Sequence, residues 1–187
     1  MLARRVPHRI KYWTDMSMIE QPEIRIGDEI SELVEILNDN FPNAQRDAME
    51  AGNCIPFERF TAAVYHLMRV SEYGLISVAL ALGVDRDTLG QGWDKILTGI
   101  NGKIKIFSST KPTPQWKVDE QRFSDLSNWF TTIKVGWRNP VSHVPRVYSE
   151  STAFAMFGST KTLFQHLKRQ GFKQASMPSN IQLPEAE

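Results

Sequence analysis

The chain has one cysteine and no long hydrophobic run. A single cysteine, Cys54, excludes an intramolecular disulfide and is consistent with a reducing compartment. The longest apolar stretch, residues 75–82, falls well short of the ~20 residues that a membrane span needs. No apolar segment follows the basic N-terminus as it would in a signal peptide. These absences predict a cytoplasmic protein that makes no membrane contact, with one core large enough to need neither metal nor disulfide.

The net charge is only +1, which excludes no class of partner. Its distribution is uneven. Residues 15–50 contain ten acidic residues against two arginines, whereas residues 101–173 contain twelve lysines and arginines against four acids. A basic C-terminal half suits a phosphate-binding surface, although a solvated helical face has the same composition. The acidic region could repel RNA or contact a basic partner.

Several common sites are missing from the sequence. The histidines and the cysteine do not pair at metal-ligand spacing, which argues against zinc; they are His8, Cys54, His66, His143 and His166. The glycines at 90 and 92 have no preceding strand and no phosphate-loop fingerprint. A serine-hydrolase elbow is also missing. The sequence therefore predicts no metal and no cofactor, and leaves arginine and histidine chemistry on a helical scaffold.

Hydrophobic spacing predicts an all-α bundle with long central helices. Helices are predicted over 28–38, 44–51, 57–82, 89–100, 119–137 and 149–171. Asp28 and Ser149 are the predicted N-caps of the first and last helices, and Gly83 should end the longest one. Residues 101–115 are predicted to be a connector, in which Ile104 and Ile106 could form a short strand. The domain is predicted to cover 24–173, between an irregular arm (1–23) and a disordered tail (174–187).

The inward faces follow from the same spacing. The predicted core comprises Ile30, Leu33, Val34, Leu37, Phe57, Phe60, Val64, Leu67, Ser71, Leu75, Val78, Leu82, Leu89, Trp93, Ile96, Leu97, Ile100, Phe123, Leu126, Phe130, Ile133, Trp137, Ala153, Phe157, Phe164 and Leu167. The aromatic stripe 123, 130 and 137 is interpreted as core rather than as a cofactor site.

The stretch WRNPVSH combines groups suited to phosphate chemistry. His143 can take and give a proton near neutral pH. Arg138 offers a planar fork of donors to a phosphate that gains charge in a transition state. The pair could cleave RNA without metal, with the ribose 2′-hydroxyl attacking the phosphorus. We expect Pro140 to break the helix after Arg138, because the residue before proline disfavours the helical region.

Spacing alone is weak evidence for this site. Arginine and histidine recur at similar separations by chance, and Arg59 and His66 form a second such pair in this chain. Ordinary capping or solvation of the connector explains the spacing equally well.

The context of the motif resembles the C-terminal part of bacterial HEPN-domain proteins. WRNPVSHVPRVYSESTAFAMF follows a long helix and precedes a terminal one, and FERFTAAVYHLMRVSEYGL is similar to an upstream helix of these proteins. In that family the motif is arginine, a polar residue, and histidine four to six positions on. The resemblance implies that Arg138, Asn139 and His143 are catalytic. It further implies a helical bundle that dimerises with the site at the interface, and metal-independent endoribonuclease activity in toxin–antitoxin or antiviral systems.

A row of residues on the long predicted helix lies opposite its apolar stripe. Its members are Arg59, Ala62, His66, Arg69 and Tyr73. This row could contact RNA by charge and stacking, or it could be a second packing or dimer face. Tyr65 and Glu72 lie beside it, and could orient Arg138. The final helix carries further basic residues, which are either solvated or a phosphate track; they are Lys161, Lys168, Arg169 and Lys173.

Three functions stay open from the sequence. The leading hypothesis is a HEPN-type ribonuclease that acts on RNA as a homodimer and is restrained by a cognate antitoxin or nucleotidyltransferase. The second is a non-catalytic HEPN module that binds RNA, a nucleotide or a partner protein. The third is a structural helical dimer in which Arg138 and His143 only hold the connector in place.

Overall fold

Helix is the regular secondary structure of the chain wherever the structure describes it. A computed structural model describes residues 22–110, 114–139 and 147–174, and for 22–29 it describes the backbone alone. No strand occurs within these ranges. Among these residues no helix has both the length and the apolar character of a membrane span. The predicted all-α class is confirmed.

The helices follow one another with short connections. In chain order they are α1 (Pro22–Asn38), a 3-10 turn (Pro42–Ala44), α2 (Gln45–Cys54), α3 (Phe60–Ala81), a single-turn α4 (Arg86–Leu89), α5 (Trp93–Thr110), α6 (Pro114–Ile133), a π-helix (Lys134–Arg138) and α7 (Glu150–Arg169). Helix α6 runs directly into the π-helix.

Helix α3 is the centre of the bundle. It packs against α2, α5 and α7, while α1 covers α2 and α7, and α5 pairs with α6. Most of its residues are buried, including small ones such as Gly74 and Ala79 that admit neighbouring helices closely. Because α3 contacts most of the other helices, polar groups on its least buried face lie at junctions between elements.

The predicted core stripes are largely confirmed. On α7, Ala153, Phe157, Phe164 and Leu167 are all buried, and Ser149 caps the helix by accepting a hydrogen bond from the Thr152 N–H at 3.3 Å. The predicted inward residues of 89–100 and those at 123, 126, 130 and 133 are likewise buried, and Trp137 packs against the core while half-buried. Gly83 ends the α3 region with a φ of +68°, as predicted.

Three helix boundaries differ from the sequence prediction at the N-terminal side. Helix α1 begins at Pro22, so Asp28 lies inside it and is not its N-cap, and the arm of 1–23 is shorter than predicted. Proline is favoured in the first turn, where its missing N–H costs nothing. Helix α2 continues through Gly52 to Cys54, because Ala51 and Gly52 pack inside the bundle.

The start of α3 was also predicted too early. Glu58 has a φ of +58°, in the left-handed region that a right-handed helix excludes, so the helix begins only at Phe60. Phe57 consequently lies in the turn with 49% of its side chain exposed, and the prediction that it faces the core is wrong. The guanidinium of Arg59 lies over its ring, 5.7 Å from the centroid.

The predicted connector over 101–115 is mostly helix. Helix α5 extends to Thr110 because Ile100 and Ile104 stand four residues apart on one buried face. Ile104 is 9% exposed and Ile106 is 54% exposed, because residues two positions apart point to different sides of a helix. On one strand they would share a face, so the suggested strand is wrong. Pro114 begins α6, and only residues 111–113, which the structure leaves undescribed, separate the two helices.

Gln174, which the sequence assigned to the tail, is a described residue with defined contacts. Gln174 is tied to the turn after α1, since its N–H donates to the Asn40 carbonyl and its Oε1 accepts from the Asn43 N–H at 3.0 Å. The predicted disordered residues 175–187 and the arm residues 1–21 lie outside the described ranges.

Two glycines provide a test of the packing around α3. A Cβ on Gly74 would lie 2.8 Å from Leu167 Cδ1, whereas one on Gly102 of α5 would meet nothing within 4 Å. We expect Gly74→Val to lower the free energy of unfolding by about 1–3 kcal/mol through overpacking. Gly102→Ala should raise it by roughly 0.5–1 kcal/mol, because alanine loses less backbone entropy in a helix. Urea unfolding of both variants checks this, and equal effects would contradict the close approach of α3 and α7.

Candidate functional site

The motif arginine stands at the end of a π-helix. Residues Lys134–Arg138 form this helix directly after α6, and the Asn139 N–H donates to the Lys134 carbonyl. Such single π-turns cost regular hydrogen-bond geometry and often occur at functional sites. Asn139 keeps helical dihedrals (φ −63°, ψ −49°) although proline follows it, so the chain does not leave the helical conformation directly after Arg138 as expected. Arg138 and Asn139 are both half-buried.

Arg138 lies between two carboxyl groups from other helices. Its charge favours the ionised form of Glu72 on α3 and of Asp94 at the start of α5. Lys134, one turn earlier, forms an ion pair with Asp94. The hydrogen bond from Lys134 and then the Lys134 and Arg138 charges hold the pKa of Asp94 below its ordinary value. The π-helix is therefore joined by charge to both α3 and α5.

Glu72 is half-buried on α3. Burial raises the pKa of Glu72, while the charges of Arg138 and Arg69 and a hydrogen bond with the Trp93 side chain oppose the rise. Trp93 is 2% exposed, so its ring is held by the core and fixes the carboxyl that faces Arg138. The charge of Arg138 therefore acts on a carboxyl that is held by a core residue.

The raised pKa of Glu72 predicts a pH-dependent effect of Glu72→Gln. A carboxyl whose pKa is higher in the folded than in the unfolded state (~4.3) stabilises the fold below the unfolded pKa, and this contribution disappears as pH rises through the folded pKa. Glutamine keeps a partner for Trp93 but never ionises. We expect the stability of the variant relative to wild type to increase from pH 4 towards pH 8.

Urea unfolding at several pH values measures this difference. A relative stability that falls with pH would mean that the charges of Arg138 and Arg69 outweigh burial of the carboxyl.

The chain returns beside the same π-helix. Tyr148 is 6% exposed; its hydroxyl donates to the Trp137 carbonyl at 3.2 Å, and its ring stacks on that of Trp137 with centroids 6.4 Å apart. Its N–H donates to the Thr61 hydroxyl at 3.1 Å. Tyr148 therefore holds the start of the following chain against both the π-helix and the first turn of α3. His143, the predicted catalytic histidine, belongs to the segment 140–146 and lies outside the described residues.

A second charged cluster lies on the other edge of the half-buried face of α3. Asp47 of α2 is 7% exposed, and its Oδ1 accepts from His66 Nδ1 and from Arg69 Nε, each at 2.8 Å. Burial disfavours the charge of Arg69, but the hydrogen bond and charge of Asp47 prevail and raise the pKa of the guanidinium. Tyr73 is 8% exposed, so its ring supports this cluster from within the core.

The predicted row on α3 therefore divides in two. His66 and Arg69 pack against α2, as the packing interpretation expected, while Arg59 is exposed at the helix start over Phe57. Tyr65 presents 50% of its side chain to solvent. The accessible groups on this side of α3 are therefore Arg59 and the neighbouring Tyr65.

Basic residues of α7 are engaged with the acidic first helix. Lys161 Nζ lies 3.0 Å from Glu32 Oε2, and Lys168 Nζ lies 4.0 Å from Asp39 Oδ2. The acidic region thus has a basic partner within the chain itself. The two lysines already face carboxylates, which weakens the interpretation of α7 as a phosphate track.

Sequence reasoning missed Asp47, Asp94, Lys134 and Tyr148. The signal for Asp47 was present, since it stands three and four residues from Ala44 and Ala51 and so shares their buried helical face. Asp94 and Lys134 are far apart in sequence and carried no such signal. Within the described ranges, no three histidine, cysteine or acidic side chains come together as a metal site would require.

Comparisons with protein families, with curated proteins and with solved structures found no match to this chain.

Proposed function

We propose that this chain is a metal-independent endoribonuclease of the HEPN type, with Arg138, Asn139 and His143 as its catalytic residues. The observation that carries the proposal is the placement of Arg138. It ends a π-helix, half-buried, and its charge acts on Glu72, whose carboxyl forms a hydrogen bond with the core residue Trp93. A guanidinium held in this way is preorganised to receive a phosphate, which is the role the motif assigns to it.

The path of the chain supports the participation of His143. Covalent geometry keeps the Cα of His143 within about 14 Å of that of Asn139, since four residues span no more than that. The chain is held on the other side by Tyr148, which contacts Trp137 and Thr61. The described chain on either side of the motif histidine is therefore held at the π-helix.

The proposed reaction is an internal transesterification of RNA. The 2′-oxygen bonds to the adjacent phosphorus as His143 takes its proton, and Arg138 stabilises the charge of the pentavalent phosphorane. The bond to the 5′-oxygen then breaks. The products carry a 2′,3′-cyclic phosphate and a 5′-hydroxyl. Asn139 and the charged row of Glu72, Arg69 and His66 support the site.

Exposed apolar side chains near Arg138 support the homodimer that the resemblance implies. Val135 of the π-helix is 61% exposed, Val147 is 88% exposed beside Tyr148, and Tyr65 is one turn from Thr61 on α3. Apolar groups collected around a functional site commonly mark an interaction surface. We propose that a second copy of the chain covers these apolar side chains. We also propose that the protein acts in the cytoplasm, in a toxin–antitoxin or antiviral system, and that its partner there is a cognate antitoxin or nucleotidyltransferase.

The direct test uses the purified chain and a single-stranded RNA in excess EDTA. We expect cleavage, with mass spectrometry showing 2′,3′-cyclic phosphate ends. A DNA oligonucleotide of the same sequence lacks the 2′-hydroxyl and should remain intact. An Arg138→Ala/His143→Ala double variant, purified in parallel, reveals any contaminating nuclease.

The alternative is a non-catalytic HEPN module that binds RNA, a nucleotide or a partner protein, and it is favoured by the pairing of Lys161 and Lys168 with acidic residues. It predicts that wild type and the double variant leave RNA equally intact while both bind it. Filter binding on the same samples separates this outcome from simple inactivity.

A further inference from the structure

The turn between α2 and α3 (residues 55–59) holds an aromatic ring in solvent. Glu58 has a left-handed backbone with a φ of +58°, which a residue other than glycine keeps only where the surrounding structure enforces it. Two hydrogen bonds do so here, from the Glu58 N–H to the Ile55 carbonyl at 2.9 Å and from the Arg59 N–H to the Cys54 carbonyl at 3.0 Å. Ile55 is fully buried, so the turn is fixed to the core while Phe57 remains 49% exposed.

An exposed arginine accompanies this ring. The Arg59 guanidinium lies over Phe57, 5.7 Å from the ring centroid. Within the described ranges no carboxylate forms an ion pair with Arg59, whereas Arg69 on the same helix is paired with Asp47 at 2.8 Å. Aromatic faces and guanidinium planes are the two side-chain surfaces on which unpaired RNA bases stack. The turn presents both of them together.

The charges around the turn favour contact with a base over contact with phosphate. Between residues 45 and 59 the exposed charged side chains are two arginines and two acids, namely Arg46, Arg59, Glu50 and Glu58. Attraction of a phosphate backbone requires an excess of lysine and arginine, which this surface lacks. A base is uncharged and planar, so its contact with the ring does not depend on such an excess.

Hydrogen bonds connect the start of α3 to the part of the molecule that carries Arg138. Thr61, two residues after Arg59, accepts from the Tyr148 N–H at 3.1 Å. The Tyr148 hydroxyl donates to the carbonyl of Trp137, the residue before Arg138, at 3.2 Å. Tyr148 thus contacts both the first turn of α3 and the π-helix, so the turn and the motif arginine belong to neighbouring surfaces.

We propose that Phe57, together with Arg59, is a base-stacking site for single-stranded RNA. The inference rests on the proposed ribonuclease function and names its substrate class, which is RNA with unpaired bases. One base lies against the Phe57 ring and the Arg59 guanidinium while the rest of the strand continues over the neighbouring surface. A duplex cannot use the site, because its bases are already paired and stacked on one another.

The experiment measures binding separately from cleavage. The probe is a single-stranded 2′-O-methyl oligouridine that contains one 2-aminopurine; its methylated 2′-oxygen cannot attack phosphorus, and 2-aminopurine loses fluorescence when it stacks. We expect the full wild-type chain to bind this probe and to quench its fluorescence. Phe57→Ala should weaken binding by about 5–100-fold, the usual effect of removing one stacking aromatic side chain, and should abolish the quenching.

Three further variants identify the contact. Phe57→Trp keeps an aromatic face and should retain both binding and quenching, whereas Phe57→Leu keeps an apolar side chain without that face and should lose the quenching. Arg59→Ala should weaken binding by roughly a few-fold. Ile106→Ala is the matched control, since Ile106 is an apolar residue of α5 with 54% exposure, and it should change neither signal. A 2′-O-methyl duplex should bind wild type and Phe57→Ala equally.

The stacking site is overturned if wild type and Phe57→Ala bind the single strand equally, or if Phe57→Ala loses as much affinity for the duplex. It is also overturned if sedimentation shows a dimer for wild type and a monomer for Phe57→Ala, because the ring would then be a contact between copies. Circular dichroism of Phe57→Ala and Phe57→Leu verifies their folding.

Cleavage of ordinary RNA by wild type decides the ribonuclease function independently. Cleavage together with unchanged binding by Phe57→Ala refutes the stacking site alone. Binding and quenching without any cleavage refute the ribonuclease function alone.

Discussion

Arg138→Ala is expected to reduce the rate of RNA cleavage by about 10²–10³-fold, the usual loss when one preorganised donor to a developing oxyanion is removed. Lysine at this position should recover little of the rate. Lysine keeps the charge but not the planar fork of donors, and it would meet Glu72 as a point charge. His143→Ala should cost about 10²–10⁴-fold through the lost proton transfer. Single-turnover rates with excess enzyme measure both effects.

The Arg138→Ala/His143→Ala variant should cleave RNA scarcely more slowly than the slower of the two single variants. The reason is that the effects of residues that act together in one step are not additive. Arg46→Ala is the matched control: Arg46 is an exposed arginine on α2 and should leave the rate unchanged. Unaltered cleavage by Arg138→Ala would contradict the catalytic proposal. Circular dichroism of each variant confirms that a lost rate is not a lost fold.

Phe164→Ala is expected to lower the free energy of unfolding by about 3–5 kcal/mol, as large-to-small changes of buried phenylalanine do. The ring is fully buried on α7, meets Phe41 edge-on with centroids 4.8 Å apart, and lies near Gly74 of α3. The Phe164 ring therefore joins the turn after α1 to α7 and α3. Removing it leaves a cavity that the surrounding helices are poorly placed to fill.

Phe57→Ala is the control for this change. Phe57 is half-exposed in the turn before α3 and contacts Arg59. The substitution should therefore lower the free energy of unfolding by less than about 1 kcal/mol. Urea unfolding of both variants under the same conditions gives the difference. Similar losses would contradict the assignment of Phe164 to the core and of Phe57 to the surface.

Periodic apolar residues predicted most of the helices correctly, because packing of one face is a local property of the sequence. Errors arose where glycine and proline were interpreted as breaks. Gly102 is tolerated inside α5 because Ile100 and Ile104 bury a continuous face around it. Conversely, the left-handed backbone at Glu58 carries no local signal and shortens α3.

The candidate site was predicted only in part. Arg138 was singled out by its chemistry and by the context of the motif, and Glu72 was suggested as a residue that could orient it. The ion pair between Lys134 and Asp94 joins residues forty positions apart, so no local pattern could reveal it. The π-helix that begins at Lys134 also contacts α3 and accepts a hydrogen bond from Tyr148, and these contacts join residues that are distant in sequence.

The sequence by itself determined the all-α class, the core faces and the groups able to handle a phosphate, since these follow from side-chain chemistry and helical spacing. Only the tertiary structure decided which charges meet. Burial of Asp47 between α2 and α3 gave His66 and Arg69 a common acceptor, and the core position of Trp93 set Glu72 against Arg138. Whether two charged groups pair depends on the distance between them in space and on how far burial removes them from water. Neither can be read from the number of residues between them in the sequence.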